Sequence, residues 1–454
     1  MSLPVLTAVT GAWEASLVAG LERSSGDVRV ARRCVDLAEL LSAAASGLGR
    51  AAVLSADLHR LDREAVTQLQ RSGVAVIGVA EPGDGDAFRR LANLGVACVL
   101  AADQSAAEVA TAVVEAVRSL DRSADHSGGA ADAARRAGPA GSWARGAVLL
   151  GSDPADALDP APLPPSDADP PRSAGSRPGR LVAVWGPIGS PGRTTVATTL
   201  AGELSHRGAQ TLLVDADTYG PSVAQTLGLL DESGGIAGAV RAANSGALDV
   251  DRLARLAPGI SPTLRVLTGL PQPSRWPELR PSALTAVWEC ARELARWTLI
   301  DCGFCLEVDE ELSFDTAAPR RNGAALSALS AADAVIVVGS ADPVGLQRLV
   351  RGLAELNDAF GPAVRPQVVV TRVRPGSVGV APERRIAEAL SRYAGVGDPW
   401  LVPDDRVACD EAMLAGRMLV EIAPNSPARR VLAELAADLE ESLLLDDLDV
   451  PAAR

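Results

Sequence analysis

A pair of hydroxyls, Thr194-Thr195, directly follows a Gly/Pro/Ser loop in Leu181-Val-Ala-Val-Trp-Gly-Pro-Ile-Gly-Ser-Pro-Gly-Arg-Thr-Thr-Val196. The apolar run before the loop reads as a strand. Val196, Leu200 and Leu204 after it recur at helical spacing. A loop placed between strand and helix gathers backbone N–H groups at a helix N-terminus, where the dipole favours an anion. A hydroxyl immediately after such a loop is where a nucleotide-bound magnesium finds a ligand. Gly189, Ser190 and Gly192 let the backbone come close to a phosphate. Arg193 supplies a cation, Thr194 is the expected magnesium ligand, and Thr195 can reach another phosphate oxygen. The loop departs from the strict phosphate-binding pattern, which has a glycine where Pro187 stands and a lysine where Arg193 stands. Pro187 and Pro191 each remove an N–H donor. The plainer reading is a Gly-rich turn feeding a helix in any α/β protein.

Two downstream stretches favour the phosphate reading. Gln210-Thr-Leu-Leu-Val-Asp-Ala-Asp217 and Arg296-Trp-Thr-Leu-Ile-Asp301 are apolar runs that end in carboxylates. Acids at the carboxyl ends of neighbouring parallel strands stand where ligands bind in open α/β sheets. Asp301 is expected to hold magnesium through water. The alternative for it and for Asp217 is an ordinary acid that solubilises a strand end.

The order of loop, Leu-Leu-Val-Asp-Ala-Asp and Thr-Leu-Ile-Asp resembles the ParA/MinD class of P-loop ATPases. Ala331-Ala-Asp-Ala-Val-Ile-Val-Val338 and the closing Gly416-Arg-Met-Leu-Val-Glu-Ile-Ala-Pro-Asn-Ser-Pro427 resemble its CpaE/TadZ subgroup, to which actinobacterial septum site-determining proteins belong. The resemblance covers roughly 180–440, and more weakly the N-terminal part. It implies ATP and Mg2+ as cofactors, with Asp217, at the family's second acidic motif, helping to position magnesium and an attacking water, a nucleotide-sandwiched homodimer, and a polar, septal or pilus-assembly protein as partner. It also exposes departures from the class motif KGGxGKTT. Ile188 occupies the position of the lysine that crosses the dimer. Arg193 occupies the main lysine, and a planar guanidinium is no conservative replacement for a compact ammonium. Thr371 stands where relatives commonly carry an adenine-reading asparagine. Nucleotide binding with slow or absent hydrolysis is expected; the alternatives are a fully active ParA/MinD-type ATPase and a nucleotide-free scaffold.

The elements that must carry these groups can be read along the 454 residues. Five apolar runs, Val5–Val9, Val28–Ala31, Ala51–Leu54, Val74–Val79 and Val96–Ala101, alternate with helical patterns near 11–22, 35–46, 60–72, 85–93 and 105–119. This reads as a flavodoxin-type doubly wound sheet over 1–120, and it resembles a response-regulator receiver. A working receiver needs an acidic pair after the first strand, an aspartate closing the third and a lysine after the fifth. Here the first strand runs into Thr7-Ala-Val-Thr-Gly11, the third closes at Ser55 with Asp57 two residues late, and Ala101-Ala-Asp-Gln104 follows the fifth. The expectation is a pseudo-receiver, a docking or dimerisation module. Residues 121–179 are rich in Ala, Asp, Ser, Gly, Pro and Arg and read as a disordered linker. Residues 180–445 read as the P-loop domain, mostly parallel with helices on both faces, and 446–454 as an acidic tail.

The formal net charge of −14 is a poor basis for sequence-independent DNA binding, which needs clustered Lys and Arg. The C-terminal stretch Asp438–Asp449 lacks the basic face of a membrane-surface helix, so no direct membrane anchor is expected. The start carries no signal-peptide pattern, and no apolar run reaches the length of a membrane span; a cytoplasmic protein is expected. The six cysteines are scattered. Cys302-Gly-Phe-Cys305 has CxxC spacing but opens no redox helix, and buried or incidental thiols are the favoured reading.

Overall fold

The computed structural model describes residues 2–9, 18–19, 21, 28–131, 178–189, 192–230, 234–308, 319–362 and 364–446. Most of the expected helix near 11–22, most of the expected linker, Ser190, Pro191, part of the acidic run 307–311 and residues 447–454 lie outside them.

The first sheet contains β1 (Leu3–Ala8), β2 (Val28–Arg33), β3 (Ala51–Ser55), β4 (Ala75–Ala80) and β5 (Cys98–Ala101). Its order is β2-β1-β3-β4-β5, with every pairing parallel, which is the flavodoxin-type winding the apolar runs predict. The helices described along this stretch are α1 (Leu37–Ala45), α2 (Arg63–Arg71), α3 (Gly85–Asn93) and α4 (Ala106–Ala131). The last runs well past its expected end at 119. Val109, Val113 and Val117 on α4 pack with Val5, Val53 and Ile77 of the strands at the four-residue spacing of one helix face.

The second sheet has eight strands: β6 (Arg180–Trp185), β7 (Thr211–Ala216), β8 (Gly259–Ser261), β9 (Leu264–Leu267), β10 (Trp297–Cys302), β11 (Ala334–Ser340), β12 (Gln367–Val373) and β13 (Trp400–Pro403). Their order is β13-β12-β11-β6-β10-β7-β9-β8, and only the edge pair β8–β9 is antiparallel. Helices α5 (Arg193–His206), α6 (Val223–Thr226), α7 (Gly235–Asn244), α8 (Val250–Leu256), α9 (Pro281–Leu294), α10 (Gly323–Ala331), α11 (Pro343–Phe360), α12 (Pro375–Val378), α13 (Pro382–Ala394), α14 (Arg406–Ala415), α15 (Leu419–Ile422) and α16 (Pro427–Asp446) complete it.

Strand β6 shows why the sheet is covered on both faces. Leu181, Ala183 and Trp185 enter the core with α7, α9 and α10, whereas Val182 and Val184 enter the core with α5 and α16. A period of two thus divides one continuous apolar run between two layers, the signature of a buried parallel strand. On the α5 layer, Glu203 is 2% exposed and forms a bidentate pair with Arg429 of α16, at 2.7 and 2.9 Å. A Cβ on Gly202 would meet the Met418 sulfur at 2.7 Å. Gly416, at φ 61°, lies against Gly228, where an added Cβ would meet the Gly228 Cα at 3.0 Å. The Gly416–Pro427 motif therefore fastens the chain end to α5 and to the segment after α6. Among the described residues no helix is long and apolar enough to cross a membrane.

Candidate functional site

The site is built at the carboxyl ends of β6, β7 and β10. β6 lies between β10 and β11, and β10 between β6 and β7. The loop leaving β6 turns at Gly189 (φ 73°) and Gly192 (φ 99°), conformations that favour glycine. Gly192 is the N-cap of α5, and among the described residues no side chain caps it. By contrast, aspartates 36, 84, 249, 342 and 405 accept N–H groups at the starts of α1, α3, α8, α11 and α14. The first turn of α5 thus presents backbone N–H groups that an anion can take. Below the loop, a Cβ on Gly192 would meet Thr371 Cγ2 at 3.2 Å. Thr371 is buried, and its hydroxyl donates to the Gly339 carbonyl at 3.0 Å.

Four of the residues singled out from sequence come together directly. Arg193 turns inward: Nη1 donates to the Gly186 carbonyl at 3.1 Å and Nη2 to Asp217 Oδ2 at 3.2 Å. The Thr194 hydroxyl donates to Asp301 Oδ2 at 2.6 Å and lies 3.3 Å from the Ser222 hydroxyl. Asp217 Oδ1 accepts the backbone N–H groups of Tyr219 and Gly220 at 2.8 and 3.1 Å. Thr195 follows on α5, half-buried. Ser190 lies outside the described residues.

Two residues that sequence reasoning passed over belong to the same cluster. Asp215 is the register partner of Asp301 across β7 and β10. Its Oδ2 accepts from the N–H groups of Ser222 and Val223 at 2.8 and 3.0 Å, which ties the start of α6 to β7. Ser222 in turn brings a second hydroxyl to Thr194. Two acids in Leu-Leu-Val-Asp-Ala-Asp were visible, but their spacing does not tell which of them faces Asp301.

Burial is the dominant electrostatic fact. It raises the Asp301 carboxyl to about 8, helped by the charge of Asp215, against the Thr194 hydrogen bond and Arg193 that lower it. Burial likewise raises Asp215 to about 6, against the N–H groups of Val223, Asp217 and Ser222. Three carboxyl groups lie around one guanidinium, and in this water-poor place their ionisation is unfavourable until a cation balances it, which suits a hard cation. Among the described residues no three His, Cys, Asp or Glu side chains converge as metal ligands. Magnesium needs no such cage, since it keeps waters and takes one or two protein ligands together with phosphate oxygens. Thr194 and Asp301 fit that requirement.

An aromatic cover adjoins the cluster. Tyr219 packs on Phe304 with ring centroids 4.6 Å apart, Arg321 lies over the Tyr219 ring at 4.0 Å, and the Tyr219 hydroxyl donates to Asn322 Oδ1 at 2.7 Å. The Trp185 indole N–H donates to the Phe304 carbonyl at 3.1 Å, tying the strand before the loop to the segment after Asp301. Cys302 is buried, and burial holds its thiol well above the ordinary range; Cys305 accepts from the Asn322 amide at 3.3 Å. Neither thiol is placed as a nucleophile.

Residues 179–244 match the ParA family, described as NUBPL iron-transfer P-loop NTPase. Among solved structures the chain is similar to a ParA family ATPase from Chlorobium tepidum TLS (18% identity, 57% of this chain and 98% of that one, TM-score 0.48). It is also similar to the cell division ATPase MinD of Pyrococcus furiosus (21% identity, 58% and 99%, TM-score 0.46). A third is the septum site-determining protein MinD from Pyrococcus horikoshii OT3, complexed with Mg-ADP (18% identity, 58% and 97%, TM-score 0.44). No curated protein matches. The segment that matches the ParA family holds β6, the loop, α5, β7, Asp215 and Asp217.

Proposed function

We propose that the chain is a nucleotide-binding positioning protein of the CpaE-like kind, with a phosphate loop suited to holding ATP and poorly suited to hydrolysing it. In this reading Gly189, Ser190, Gly192, Arg193, Thr194 and Thr195 cradle the phosphates. Thr194 and Asp301 hold magnesium, which when bound neutralises charge on the phosphate oxygens. Asp217 orients water. The observation that carries the reading is the Arg193 guanidinium, tied at once to Asp217 and to the Gly186 carbonyl. Phosphoryl transfer depends on positioned charge more than on covalent chemistry. A cation engaged by the water-orienting acid serves binding better than turnover. By the same reading the protein acts in the cytoplasm as a homodimer without a membrane anchor of its own or affinity for DNA. A protein partner brings it to a pole or septum, where it places a septal or pilus-like machine.

The test uses the full chain. Magnesium-ATP should raise its melting temperature, because a ligand that binds only the folded state stabilises it by RT ln(1 + [L]/Kd), while phosphate release stays near background. Turnover typical of an activated ATPase would sink the slow-switch reading. No melting response to any nucleotide would leave a scaffold.

A further inference from the structure

We propose that Arg348, on helix α11, is the second phosphate-binding cation of this site, taking the terminal phosphates of a nucleoside di- or triphosphate from the outer side of the loop. The inference rests on the nucleotide reading above and adds to it a residue outside every motif of the loop.

The argument starts from how the loop lies on α11. A Cβ placed on Gly352 would meet Pro187 at 3.0 Å, so the loop's first proline sits directly on that helix. Arg348 is one turn earlier, at i−4, and so on the same face. There its guanidinium lies over Gly189: a Cβ at Gly189 would collide with Arg348 Nη1 and stand 3.3 Å from Cζ. Loop and helix face therefore run side by side, Pro187 against Gly352 and Gly189 against Arg348. The absent side chain at Gly189 is what admits the guanidinium to the loop backbone.

Charge gives the contact a purpose. Between Gly186 and Thr195 the only cationic residue is Arg193, and it faces the carboxylates at the inner end of the site. Ile188, the loop residue next to Gly189, is 56% exposed and apolar. The outer side of the loop thus draws no positive charge from its own sequence, and Arg348 brings one to the backbone. Asp342, the N-cap of α11, is committed to the Val344 and Gly345 N–H groups and the Ser340 hydroxyl. A guanidinium offers a planar fork that matches phosphate oxygens in pairs, which an ammonium does not. The side chain is exposed, so its replacement does not open the core.

The experiment measures the half-saturating concentration of magnesium-ATP and magnesium-ADP for the melting shift of the full chain. It compares wild type, Arg348→Gln, Arg348→Lys and Arg193→Ala. Arg348→Gln keeps the bulk and removes the charge; it should raise the half-saturating concentration about tenfold, as expected for one lost charge-assisted contact. Arg348→Lys should recover part of the affinity. AMP, which lacks the terminal phosphates, should not distinguish the Arg348 variants from wild type. If Arg348→Gln stays within about twofold of wild type while Arg193→Ala is weakened, Arg348 is no phosphate ligand and the inference falls alone. If wild type itself gives no shift, the nucleotide reading fails first and takes the inference with it.

Discussion

The two sheets of this chain share a winding and differ in what they place at its carboxyl end. In the eight-stranded sheet, β7 and β10 end in Asp215, Asp217 and Asp301, met by Arg193 and the hydroxyls of Thr194 and Ser222. In the five-stranded sheet, β1 and β3 end near Thr7 and Ser55, both buried, while Asp57 is exposed. Among the described residues the buried Thr7 hydroxyl has no hydrogen-bond partner. Parallel winding creates a crevice at the strand ends, and the residues there decide whether it becomes a site. One crevice crowds buried carboxyl groups whose ionisation is costly unless a ligand cation balances it. The other carries small neutral groups and is suited to packing.

Several substitutions would break or sharpen that contrast. The largest effect is expected behind the charged site, at the ion pair between α5 and α16. Arg429→Ala strands the buried Glu203 carboxylate and should cost about 3 kcal/mol or more in denaturant unfolding of the full chain. A loss below about 1 kcal/mol would mean that α16 does not brace α5. Next comes Thr194→Ala, which should remove the magnesium-dependent part of the nucleotide melting shift. The corresponding weakening is about tenfold, or ~1.4 kcal/mol; Asp301→Asn should act similarly, and an unchanged magnesium dependence would separate Thr194 from the metal. In the five-stranded sheet the sign reverses. Thr7→Val removes a hydroxyl that has no partner among the described residues while keeping its shape, and should stabilise by about 1 kcal/mol; destabilisation would point to a role for that hydroxyl. The smallest effect belongs to Asp57. Acetyl phosphate with magnesium should leave the full chain unmodified, and Asp57→Asn should change nothing. An acid-labile phosphate on Asp57 would make the two crevices alike after all.

How much of this was legible in the sequence depended on how local the cause was. Strands buried along their whole length, such as β3 and β4, stand out as apolar runs, and their observed bounds differ little from the sequence reading. Helix α7 did not stand out. Its Gly-Ile-Ala-Gly-Ala-Val-Arg-Ala-Ala-Asn is buried at seven of ten positions, so it shows little of the polar face that gives a helix its period. The antiparallel edge strand β8 has only three residues, too short to show alternation. Within the site, Arg193, Thr194, Asp217 and Asp301 were visible because motif spacing is local. Asp215 needed the β7–β10 register, and Arg348 needed the packing of α11 on the loop, which no spacing encodes.

The close meeting of Gly228 and Gly416 has a mechanical consequence. Backbone bears on backbone there, with no side chain between to flex or change rotamer. A shift of the segment beyond Ser222 would reach Gly416 undamped, and from there Met418 and Gly202. The pair works as a bearing in which play is absent because there is nothing compressible in it. Two positions far apart in the chain thus form one mechanical part, and a methyl group at Gly416 would press on the Gly228 backbone.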